Sequence, residues 1–112
     1  MLEDVKKFHK SLPKYTNDPE IAKRLQKVVE NAMRNSYYEL MISRNPKEVL
    51  KDHICSAMIE TRAFEKARNK EECLRVAEKV AEDIIKIGGR DLKRFFELYV
   101  KWNRVLEESL LC

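Results

Sequence analysis

The chain contains two glycines, and they stand side by side: Gly88 and Gly89, in the stretch IIKIGGRDLKRFF. Average globular usage would place roughly eight in a chain of this length. Tight β-hairpins depend on glycine, or on Asn-Gly and Asp-Gly pairs, at positive φ. A chain that lacks them everywhere else has no means of building a meander of short strands, and no segment alternates polar and apolar residues over a useful length. What recurs instead is an apolar residue every third or fourth position, the period of a helix with one buried face. The expected fold class is therefore all-α: a bundle of about five helices, two short or broken and three long, with antiparallel neighbours, in a single domain spanning residues 1–112.

Capping signals divide the chain. Leu2, Val5, Phe8 and Leu12 mark a short first helix that Pro13 closes. Asp18-Pro19 opens the second, because an Asp carboxylate accepts from the free N–H groups of a first turn and Pro at the first helical position loses no bond. This helix runs to about Ser43, with Ile21, Leu25, Val28 and Ala32 in one apolar row and Val29, Met33, Tyr37 and Leu40 in the next. Asn45-Pro46 with Glu48 repeats the device as a capping box, followed by Leu50, Ile54, Ala57, Thr61 and Phe64. Asn69 with Glu72 forms another box and predicts a break near Ala67–Lys70. The fourth helix then presents Cys73, Ala77, Val80, Ile84 and Ile87, with Leu74, Ala81 and Ile85 beside them. Gly88 and Gly89 end it, one expected in a left-handed conformation and the other letting the chain reverse without a clash.

The last helix is expected from about Arg90 to the C-terminus. Leu92, Phe95, Tyr99, Trp102 and Leu106 follow heptad spacing, while Phe96, Leu98, Val100, Val105, Leu110 and Leu111 lie on other faces. A terminal helix that is apolar on most sides calls for cover from somewhere. The economical source is a second subunit, so the expected state is a homodimer with Phe95, Phe96, Tyr99, Trp102 and Leu106 at the interface.

Charge narrows the possible partners. Lys and Arg number 23 against 19 Asp and Glu, a net charge of +4, and most of the excess falls in residues 1–44. The candidate contacts to an anion or a nucleic acid are Lys6, Lys7 and Lys10 (with Lys14 close behind) and Arg90, Lys93 and Arg94 at the start of the last helix. The excess is weak for a dedicated DNA binder, and the aromatic heptads of the last helix suit a core better than a recognition surface. Apolar runs extend only a few residues, against roughly 20 for a bilayer span, and no apolar run opens the chain. No membrane association and a cytoplasmic location are expected. The abundance of Lys, Glu and Arg, with one glutamine, fits a thermophile.

Chemistry-bearing residues are few. His9, His53, Cys55, Cys73 and Cys112 show no metal-binding spacing, and His53 and Cys55, two residues apart, diverge on a helix. No metal and no cofactor are expected, the cysteines read as buried or free thiols, and His53 reads as a hydrogen-bonded histidine at a core boundary. Glu71, Glu72, Glu78, Glu82 and Asp83 approach the magnesium motif of helical nucleotide pyrophosphohydrolases, Glu-Glu-x-x-Glu followed by Glu-x-x-Asp. Arg75 stands where the third Glu belongs, and Val80 where the later Glu belongs. Glu71, Arg75, Glu78 and Glu82 therefore read as a row of paired surface charges, and no catalytic residue is expected. The expected function is a non-enzymatic, homodimeric interaction or structural protein. The alternatives are a weak nucleic-acid binder using the two basic segments, and an enzyme with a site at the dimer interface.

Overall fold

The computed structural model describes Met1–Leu111, with side chains as far as Ser109; Cys112 lies outside the described residues. The chain is an all-helical bundle, with no strand among the described residues. Helix α1 spans Leu2–Ser11 and passes into a 3-10 turn at Leu12–Tyr15. Helix α2 spans Pro19–Ile42, α3 Pro46–Glu60, α4 Ala63–Lys66 and α5 Lys70–Gly88. A 3-10 turn at Gly89–Asp91 leads into α6, Leu92–Leu111. The main packing chain runs α2 on α3 and α3 on α5, and α6 closes the bundle against α2, α1 and α5.

The caps form at the residues whose chemistry calls for them. Asp18 accepts from the Glu20 N–H at 2.9 Å ahead of Pro19, and Asn45 accepts from the Glu48 N–H at 3.4 Å ahead of Pro46. Asn69 accepts from the Glu71 N–H at 2.9 Å. The carboxylates expected to complete the capping boxes go elsewhere: Glu48 to Lys51 at 3.2 Å and Glu72 to Arg75 at 2.5 Å. Gly89 has φ +52 and its N–H caps the Ile85 carbonyl, while Gly88 lies where an added Cβ would meet Leu92 Cδ1 at 2.6 Å. One glycine thus supplies the backbone conformation and the other the close approach of α6.

Two departures have physical causes. The third helix ends earlier than expected, at Glu60, with a second break ahead of the one at Ala67–Asn69. The Thr61 hydroxyl donates to the Ala57 carbonyl at 2.8 Å, Arg24 Nε takes the Thr61 carbonyl at 3.2 Å, and Arg62 turns to φ +68. A hydroxyl that bonds its own preceding turn competes with the helical ladder. On α5, Cys73, Ala77, Val80, Ala81 and Ile84 are buried as expected, but Leu74 and Ile87 are exposed and Val76 is buried, so the edges of the apolar face differ from the expected row.

The expected dimer interface needs correction. Phe95, Phe96 and Tyr99 are fully buried within the single chain. Phe8 of α1 meets Phe95 and Tyr99 edge to face, with ring centroids 5.8 and 5.7 Å apart, and meets Tyr15 at 6.2 Å. Trp102 is half-buried beneath the Lys6 ammonium, 5.1 Å from the ring centre, and Leu106 is half-buried. The short N-terminal helix folds back over α6 and supplies the cover that a second subunit was expected to give. The dimer thereby loses the aromatic surface on which it was argued.

Candidate functional site

Helices α2 and α6 carry polar groups into the interior between α1, α2 and α6. Glu30 is buried and answers Arg34 at 2.8 Å. Tyr99 Oη and both side-chain polar atoms of Asn103 are buried without a hydrogen-bond partner among the described residues. Burial pushes the Tyr99 phenol up; the neighbouring Asn103 side chain opposes this and the Glu30 carboxylate adds to it, so the phenol stays neutral. Burial likewise raises the Cys55 and Cys73 thiols, which leaves both protonated and unreactive near neutral pH. His53 Nε2 meets Glu39 Oε2 at 2.9 Å at the edge of the core. Among the described residues, no three His, Cys, Asp or Glu side chains gather as metal ligands would.

Besides a groove lined by polar residues around Asn17, Asp18, Arg68 and Glu72, two surface grooves combine charged groups with an apolar floor. The first lies between α2 and α6, with a volume of about 490 Å³. Its floor is Met33, Tyr37, Phe96 and Val100, and its rim carries Arg34, Tyr38, Arg94, Glu97 and Lys101. Tyr37 Oη donates to Glu97 Oε1 at 3.0 Å and packs edge to face against Tyr38 at 5.2 Å. Burial and the Glu97 carboxylate hold the Tyr37 phenol above its ordinary value, so it remains a donor. Tyr38 is 82 % exposed and Ile42, one turn further along α2, is 86 % exposed, with Met41 between them partly exposed. Residues four apart share a helix face, so Arg34, Tyr38 and Ile42 form one outward stripe.

The second groove lies between α1 with its 3-10 turn and α5, with a volume of about 550 Å³. Two stripes face each other across it. Arg75, Lys79, Asp83 and Ile87 repeat every four residues along α5, and Asp4, Lys7, Ser11, Lys14 and Tyr15 line the opposite wall over Phe8. Tyr15 Oη donates to Asp83 Oδ2 at 2.7 Å, and Lys79 Nζ lies 3.3 Å from Asp83 Oδ1. Arg75 donates to the Tyr15 carbonyl at 2.9 Å and to Glu72. Burial, then the bond to Asp83, pushes the Tyr15 phenol up.

The six basic residues picked from the sequence do not form one patch. Lys7 lines the α1–α5 groove, Arg94 lines the α2–α6 groove, and Lys6 sits over Trp102. Lys93 lies beside the Tyr37 phenol, while Lys10 and Arg90 are exposed and line neither groove. Sequence reasoning missed Tyr15, Arg75, Lys79 and Asp83 on one groove, and Arg34, Tyr37 and Tyr38 on the other. The four-residue repeat 75–79–83–87 was a readable signal of one α5 face, but what opposes that face is a matter of tertiary packing. No family model, curated protein or solved structure matches the chain.

Proposed function

We propose that the protein is a non-enzymatic interaction module that docks an acidic, amphipathic helix of another protein in the groove between α2 and α6. The observation that carries this reading is the exposure of Tyr38 at the rim of an apolar-floored groove, with Ile42 exposed one turn further along the same helix face. Contiguous exposed apolar surface beside polar residues is a mark of interaction sites, whereas scattered single residues are not. A helix lying in the groove would cover Tyr38 and the floor with residues at i, i+3, i+4 and i+7. The rim carries Arg34, Arg94 and Lys101 against one carboxylate, Glu97. Acidic residues flanking the apolar ridge of the partner would complement it, whereas a second copy of this chain would bring the same cations face to face.

The test uses a labelled 20-residue helix with leucines along one face and glutamates flanking them, and a version with lysines in place of the glutamates. Fluorescence anisotropy should show saturable binding of the acidic peptide that weakens with salt, and at least tenfold weaker binding of the basic one. Tyr38→Asp with Ile42→Asp should abolish binding and leave helix content unchanged, because both side chains are exposed. Equal binding of the two peptides, or binding of neither, overturns the proposal. A doubled mass in light scattering that the same double variant returns to a monomer would assign the groove to a homodimer instead. Tighter, Tyr38-dependent binding of a single-stranded oligonucleotide would assign it to nucleic acid, with the tyrosines as a stacking platform.

A further inference from the structure

The α1–α5 groove lies on different helices and differs in kind. Its walls carry four cations, Lys7, Lys14, Arg75 and Lys79, and two carboxylates, Asp4 and Asp83. Asp83 is shared between Tyr15 and Lys79, and Arg75 is held by Glu72 and the Tyr15 carbonyl. Lys7 and Lys14 pair with no carboxylate among the described residues. The bonds of Asp83 and Arg75 tie Tyr15 on one wall to Arg75 and Asp83 on the other and pair Lys79 with Asp83, which leaves the two ammonium groups of Lys7 and Lys14 without a carboxylate partner among the described residues. Below them lie Phe8, the Tyr15 ring and Ile87, the last a partly exposed apolar residue on an otherwise charged helix face.

We propose that this groove is a binding site for a small phosphomonoester with an apolar body, its phosphate held between Lys7 and Lys14 and its body resting on Phe8, Tyr15 and Ile87. The charges match: the surplus of two positive groups on the lining answers the near-double negative charge of a phosphomonoester at neutral pH. Lysines bind phosphate as movable point charges, which suits two side chains reaching in from one wall. The α5 carboxylate that lines the groove, Asp83, is occupied by the Tyr15 hydroxyl and the Lys79 ammonium, which lowers its repulsion of an incoming anion. The groove's volume of about 550 Å³ is within the range of small-molecule sites.

Phenyl phosphate is the probe, titrated into isotope-labelled protein while backbone amide shifts are followed. Saturable shifts are expected at Lys7, Lys14, Tyr15 and Lys79, with inorganic phosphate and phenol each binding at least tenfold more weakly because each lacks half of the recognised chemistry. The Lys7→Ala, Lys14→Ala double variant should weaken phenyl phosphate tenfold or more. Both lysines are exposed, so its melting temperature should match that of the unaltered protein. Tyr38→Asp should leave this binding untouched, which separates the result from that of the α2–α6 groove. Equal affinity for inorganic phosphate would reduce the site to counter-ion attraction and overturn the proposal. Undiminished binding by the double lysine variant, or no saturable shift up to about 20 mM probe, would overturn it equally.

Discussion

Asp18 ties two distant parts of the chain through one carboxylate. Oδ1 accepts from the Glu20 N–H at 2.9 Å, Oδ2 accepts from the Arg68 N–H at 2.8 Å, and Thr16 Oγ1 accepts from the Asp18 N–H at 3.1 Å. These bonds, led by the one from Arg68, outweigh burial and hold the Asp18 carboxyl below its ordinary value. A carboxyl whose folded pKa is depressed adds stability that is present above its unfolded pKa, near 4, and is lost as pH falls through the lower folded value. Asp18→Ala should cost roughly 2–3 kcal/mol at pH 7, a cap plus a charge-assisted bond. Urea titrations between pH 7 and 2.5 should show a shallower acid loss for Asp18→Asn than for the unaltered chain. Asn103 carries the opposite expectation. It is buried with neither side-chain polar atom hydrogen-bonded among the described residues, so Asn103→Leu should stabilise the fold by about 1 kcal/mol, read as a raised melting temperature.

Within elements, the glycine pair separates two roles that the sequence shows only together. At Gly89, φ +52 with ψ −127 is a conformation that L side chains rarely adopt, and Gly89→Ala should cost about 1–3 kcal/mol. Gly88 has helical angles, and its added methyl would press on the movable end of Leu92, so Gly88→Ala should cost less than half as much in the same denaturant titration. The helix starts at Pro19, Pro46 and Lys70 were legible because Asp, Asn and Pro act locally, through bonds within one turn. The end of α3 was not, since it depends on Arg24 reaching the Thr61 carbonyl from another helix. The charged groove was half legible: α5 shows its Arg75, Lys79, Asp83, Ile87 face by spacing. The opposing wall follows only once α1 is seen to fold back, and two core residues, Val5 and Phe8, on a ten-residue helix do not announce where they dock.

At the scale of the molecule, the radius of gyration is 13.3 Å, close to the ~13 Å that a compact chain of this length attains unaided. The shortest dimension, 21 Å, is about two helix diameters, so each long helix buries one side and presents another outward. That thinness is why two grooves on different helix pairs coexist in so small a chain, and the two binding experiments should read as independent, with each groove's variants leaving the other's affinity within twofold. The seam that closes the bundle also has an optical consequence. Trp102 is the only indole in the chain, and it lies half-buried on α6 with the α1 ammonium of Lys6 across its face. All of the tryptophan emission therefore originates at one joint. If α1 lifts away, the ring passes into water and its emission moves to the red while the long helices keep their circular dichroism. The chain carries its own fluorescent gauge of whether its first helix is seated, legible without any label.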